Sequence, residues 1–198
     1  MEMYLIGVNI VVLAKNHNPS IISKDWLSQR GIIKENVVSF THTPAFSMVE
    51  TDNFSFYVDL DRLQLTLKND FVNRVDSLSE MVLSYISALP EIPYTAIGFN
   101  YSYDLKIDET IFRRIYCYNN EKLKSLFTKD YRLGSIIKYK FGNFVVSFIV
   151  QPDLDNNMRA DFNFDCHLSD SININDCIKK FREARESSKS TLEGFFIE

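Results

Sequence analysis

Six glycines and five prolines in 198 residues leave no room for a flexible linker or a glycine-rich phosphate loop. Neither the dinucleotide-binding spacing of glycines nor a Walker sequence occurs, so nucleotide cofactor chemistry of those types is excluded. The three histidines, His17, His42 and His167, and the three cysteines, Cys117, Cys166 and Cys177, show none of the paired spacings that hold a metal ion. No cofactor or metal is therefore expected. An odd, unpatterned cysteine set suits reduced thiols in a cytosol rather than a disulfide framework. The apolar run at residues 10–14 is too short to span a bilayer. Met1-Glu2-Met3-Tyr4 lacks the positive flank of a signal peptide. A soluble, cytoplasmic protein without membrane contact is the expectation. The formal charge of −4 supplies no global basic field for nucleic acid or anionic lipid.

What is present is apolar patterning. Sixteen Phe and ten Tyr sit in a chain that is 45% hydrophobic and 24% charged, as in a protein that buries a core. Residues 4–13 are rich in Ile and Val and read as a first strand. Asn18-Pro19 reads as a helix start, with Trp26 and Leu27 facing the core and Gly31 ending the helix. Extended segments follow at 37–42, 46–50 and 54–59. Leu63, Leu65 and Leu67 then alternate on one face of a strand. Phe71, Val75, Leu78, Val82, Tyr85, Ile86 and Leu89 recur at helical spacing and place a helix that Pro90 stops; Leu83 falls off that stripe.

A second series begins with a strand over 94–105. Asp108 can cap a helix carrying Ile111, Phe112, Ile115 and Tyr116, which continues or restarts past Asn119-Asn120 towards Leu123 and Phe127. Extra extended structure fits 128–133. Strands at 136–141 and 144–150 flank Gly142-Asn143, a tight-hairpin dipeptide. A polar turn at 153–157 leads into a strand over 160–168. A single final helix after Asn173 carries Cys177, Phe181 and Ala184 and reaches Leu192 and Phe195.

The fold class expected is α+β: an antiparallel sheet with helices on one face, from an internal duplication of a β-α-β(3-4)-α unit. The halves are residues 1–90 and 91–198, packed as one globular unit. Ile6-Gly7-Val8-Asn9 is echoed by Ile97-Gly98-Phe99-Asn100, each in the opening strand of its half. Packing near an axis relating the halves explains Gly7 and Gly98 better than a catalytic role does. This element order resembles the saddle of the TATA-binding protein in topology. The resemblance covers the order of elements and no sequence motif, and it carries no function with it.

Candidate chemistry is sparse. Cys166 and His167 are strand neighbours and so point to opposite faces, as a core thiol and a surface imidazole. Asp153-Leu154-Asp155-Asn156-Asn157 opens like a calcium loop, but Met158 and Phe164 stand where that loop needs Gly and Glu. Asp59 and Asp61 flank a turn. No nucleophile elbow is found. The one positive signal is residues 106–140, where nine Lys/Arg face four acids. Phe112, Tyr116, Tyr118, Phe127, Tyr131 and Tyr139 are interleaved there, as in sites that stack bases and meet phosphates. Arg113, Arg114, Lys122, Lys124, Lys129, Arg132, Lys138 and Lys140 are the candidate nucleic-acid contacts.

The leading expectation is a non-enzymatic protein-binding or assembly subunit. Its sheet would present one face to a protein partner or a second copy, with some Phe and Tyr left exposed for the contact. The alternatives are a nucleic-acid-binding protein using residues 106–140, and an enzyme or small-ligand binder with a pocket between sheet and helices.

Overall fold

Period-two alternation of Val, Ile, Leu and Phe builds nine strands. The register of their pairing puts every buried set on the same side. The computed structural model describes residues 2–107, 115, 119–127, 131–153 and 157–196. In chain order the elements are β1 (Glu2–Ala14), a 3-10 turn (Pro19–Ile21), α1 (Lys24–Gln29), β2 (Ser39–His42), β3 (Phe46–Glu50), β4 (Phe54–Asp59), β5 (Arg62–Leu67), α2 (Ser77–Ala88) and β6 (Tyr94–Lys106). There follow α3 (Asn120–Phe127), β7 (Ser135–Phe141), β8 (Phe144–Pro152), β9 (Met158–His167), α4 (Ile174–Lys179) and α5 (Phe181–Phe196). The protein is α+β, with all nine strands in one antiparallel sheet of order β2-β3-β4-β5-β1-β6-β9-β8-β7.

The two longest strands, β1 and β6, lie side by side in the middle. Val8, Ile10 and Val12 of β1 and Phe99, Tyr101 and Tyr103 of β6 turn to the helix side, where all six are buried. Leu63, Leu65 and Leu67 of β5 join them, as do Phe162, Phe164 and Cys166 of β9. Helix α2 closes this layer with Leu78, Val82, Tyr85 and Ile86, and α4 and α5 with Ile178, Phe181, Ala184 and Leu192. Polar tips of core rings find partners. Tyr101 Oη donates to the Phe181 carbonyl at 2.7 Å. Ser188 Oγ gives its proton to the Arg185 carbonyl, so the 2.6 Å contact between Tyr103 and Ser188 is donated by Tyr103.

Several elements differ from the sequence-based expectation, each for a local reason. Asn18 caps only the 3-10 turn, accepting from Ser20 N, and the α-helix restarts at Lys24 under Ser23, whose Oγ accepts from Trp26 N at 3.1 Å. Phe71 and Val75 pack against the core from turns rather than from a helix, and α2 begins only at Ser77. Asp70, at φ 54°, accepts from Asn73 N and sets up this turn. The final helix is two: Lys180 N–H bonds back to the Cys177 and Ile178 carbonyls and ends α4 before α5 starts. Residues 131–134 are not a strand, and 128–130 lie outside the described residues. So does the Asp108 helix, apart from Ile115, which is helical. The Gly142-Asn143 hairpin forms between Phe141 and Phe144, with Gly142 at φ 55°, a conformation glycine adopts without steric cost.

Leu78 is fully buried, whereas Leu83 is only partly so. Leu78→Ala should therefore cost about 2–5 kcal/mol by denaturant unfolding, and Leu83→Ala clearly less; equal losses would mean that α2 is rotated from this packing.

Candidate functional site

The sheet has a second face, and no described helix packs on it. Along each strand the residues between the buried ones are half-buried or exposed, and on this open face they are largely polar. β9 shows the pattern best: Arg159, Asp161, Asn163, Asp165 and His167 alternate with buried Ala160, Phe162, Phe164 and Cys166.

Following the register from edge to edge outward from Asn9 and Asn100 gives Ser39, Glu50, Ser55, Thr66, Asn9, Asn100, Asn163, Ser147 and Lys138. All nine are polar, and only Glu50 and Lys138 carry charge. At the usual strand spacing this row is roughly 38 Å long. At its middle β1 meets β6: Asn100 Nδ2 donates to Asn9 Oδ1 at 2.8 Å, across 91 residues of sequence. Adding 91 to Asn9 leads to Asn100, and the neighbours obey the same exchange, with Val8 opposite Tyr101 and Ile10 opposite Phe99. Gly7 stands opposite Ser102, and a Cβ there would come within 3.2 Å of the Ser102 Cβ, just past a register shift between Leu5 and Gly7. Gly98 is less confined, with the Phe164 carbonyl 3.5 Å from its would-be Cβ.

Charges flank this row and are largely answered in place. Lys68 meets Glu50 at 2.7 Å, Lys106 meets Glu2 at 3.0 Å, and Arg159 meets Asp161 at 3.0 Å. Ser102 Oγ also donates to Asp161, at 2.5 Å. The side chains of Asn163 and Ser147 make no hydrogen bond within the described residues and so keep donors and acceptors for solvent or a partner.

The candidate nucleic-acid residues are spread over different elements. Lys122 and Lys124 are exposed on α3, and Lys138 and Lys140 share the open face of β7. Arg132 lies before β7 and donates to the Asp153 carbonyl at 2.5 Å. Arg113, Arg114 and Lys129 lie outside the described residues. Lys106, in the same stretch, is held by Glu2 at the far end of β6. The aromatic surplus also goes elsewhere: among the described residues only Tyr4 and Phe127 are strongly exposed rings, while most Phe fill the core. The other large exposed apolar side chains among the described residues are aliphatic, among them Ile136, Ile137 and Val145 at the β7–β8 end.

Among the described residues no three His, Cys, Asp or Glu side chains come together to hold a metal ion. Cys166 is buried and His167 exposed, on opposite sheet faces, with His167 Nε2 3.5 Å from Asp165. The Cys166 and Cys177 sulfurs lie 3.6 Å apart in the core, and burial pushes the Cys177 thiol up to about 12, the range of an inert structural thiol. Asp59 caps a turn by accepting from Asp61 N and Arg62 N. Asp153 N–H closes its turn on the Asn157 carbonyl at 2.9 Å, with 154–156 outside the described residues. No described helix is long and apolar enough to cross a membrane. Compared with known proteins, the chain matches no family model and no curated sequence.

The sequence reading missed His17, which is 1% exposed. Its Nδ1 lies 3.1 Å from Tyr85 Oη, and Nε2 is buried without a partner among the described residues. Desolvation holds its pKa below the usual 6.5, opposed by the Val12 carbonyl and the Asp59 and Asp61 carboxylates. The unfolded chain therefore takes up this proton first as pH falls. Stability should be full above about pH 6.5 and decline as the pH drops towards the depressed folded value. His17→Gln should flatten the slope between pH 7 and 5 in urea titrations; an unchanged slope would show that His17 is not its source.

Proposed function

We propose that this chain is a non-enzymatic protein-binding or assembly subunit, built from two related β-α-β(3-4)-α halves, residues 1–90 and 91–198, in a TATA-binding-protein-like saddle. The observation that carries this is the unbroken polar row on a sheet face that the helices leave open. Interface centres are depleted in charge, and this row is uncharged from Ser55 through Ser147. The six aligned amides and hydroxyls of that run offer both donors and acceptors to a partner chain. Two-half descent is supported by the Ile-Gly-Val-Asn and Ile-Gly-Phe-Asn echo, whose asparagines meet side chain to side chain in the central pair. Lys68, Lys106 and Arg159 are paired on the face itself, which favours a protein partner over a polyanion along most of the row, because a phosphate-binding surface needs unanswered positive charge; Lys138 and Lys140 stand apart at the β7 edge.

Asn163→Arg and Ser147→Arg place charge in the row at positions without side-chain hydrogen bonds, so the thermal unfolding midpoint should hardly move. In parallel capture and sedimentation experiments on the full chain, both variants should lose the wild type's bound protein, or its self-association, by about tenfold or more. Labelled RNA and DNA should not bind at low salt. Retention unaffected by either arginine, or salt-sensitive nucleic-acid binding that Lys122/Lys124/Lys129 charge reversal abolishes, would overturn the reading.

A further inference from the structure

The two ends of the sheet are guarded very differently. β2 is four residues long and is followed by Pro44 in its hairpin, a short edge that offers little to pair with. β7 has seven residues, no proline, and an unshifted register from Ser135↔Val150 to Phe141↔Phe144. In a hairpin with a two-residue loop the flanking residues exchange hydrogen bonds, here Phe141 with Phe144. Tyr139, Ile137 and Ser135 then also bond to β8, so the N–H and C=O groups of Ile136, Lys138 and Lys140 point away from the sheet. None of these three has a hydrogen-bond partner on that side among the described residues.

We infer that the free edge of β7 takes up an extended segment of a partner protein as a tenth strand, and selects a segment with Asp or Glu at alternate positions. This rests on the reading of the chain as a protein-binding subunit and names the chemistry of what it binds. Lys138 and Lys140 lie on the open face with Ile136, and residues directly opposite them in an incoming strand sit within reach of both ammonium groups. Local charge agrees: the acids of β8 and β9 nearest in register begin only at Asp161 and Asp165, two strands away. On the other face the incoming strand meets Ile137, 38% exposed, and Tyr139, so its intervening residues are apolar. Ile136, 68% exposed, ends the lysine face of this edge. A second copy is a poor occupant: antiparallel pairing of two β7 edges centred on residue 138 sets Lys138 against Lys138. The lysines thus bar self-pairing and favour an acidic strand, as strand addition to a sheet edge uses backbone bonds for affinity and alternate side chains for choice.

The test uses the full chain with two labelled heptapeptides, one alternating glutamate with valine and the other lysine with valine. Anisotropy should show saturable binding of the glutamate peptide alone. Bound peptide should slow amide exchange at Ile136, Lys138 and Lys140 and leave β2 unchanged. Lys138→Glu/Lys140→Glu, both at exposed positions, should weaken the glutamate peptide roughly tenfold and admit the lysine peptide. No saturation with either peptide, protection elsewhere, or affinity indifferent to the charge reversal would overturn the inference. In that event an intact effect of Asn163→Arg and Ser147→Arg would leave the open-face reading standing, whereas loss of both removes the shared premise.

Discussion

One ladder holds this sheet together. Among the described strands every other pairing lies within residues 1–90 or within residues 91–198; only β1 with β6 joins them. The price of that arrangement is that two thirteen-residue strands must be flat enough to align and apolar enough on one side to bury. Val, Ile, Phe and Tyr at alternate positions meet both demands. The register shifts at Ile6, between Leu5 and Gly7, and again between Leu13 and Ala14. On the helix side the join is reinforced by Asp76, before α2, which meets Arg182 at 2.8 Å and Arg185 at 3.6 Å from α5.

The open face follows from the same constraint. Because β1 and β6 must be buried on the helix side, their intervening positions are free of core duty. At the join these are Asn9 and Asn100, which satisfy each other. Each strand added outward keeps the register, so one of its open-face residues falls into the same row. The row is thus a product of alternation multiplied across nine strands, and the edges are where it stops. One end stops at a short strand; the other stops at a long strand with lysines, which shapes what that end can accept.

The local elements were legible in the sequence because period-two alternation and turn residues mark them. β3 at 46–50 and β4 at 54–59 match their expected bounds, and Gly142-Asn143 makes its hairpin. What failed was governed by competition between local and tertiary preferences. Phe71 and Val75 continue the helical spacing of α2, yet Asp70 diverts the backbone into turns while their side chains still reach the core. Lys180 likewise breaks a helix that its apolar spacing would continue. The polar row was not legible, since Ser, Thr and Asn in a strand read only as solvent-facing positions until pairing aligns them. Of the basic residues at 106–140, Lys106, Lys122 and Lys138 belong to different elements, while Arg113, Arg114 and Lys129 lie outside the described residues. Of the Phe and Tyr expected partly at the surface, Tyr4 and Phe127 are exposed among the described residues, and most Phe fill the core.

Native-state amide exchange of the free chain tests the central ladder most directly. The account predicts that the slowest amides lie between Val8 and Val12 of β1 and between Ile97 and Tyr103 of β6, and that both strands open only in global unfolding. Exchange of that ladder at the rate of β2 and β7, or parting of β1 from β6 ahead of unfolding, would contradict it.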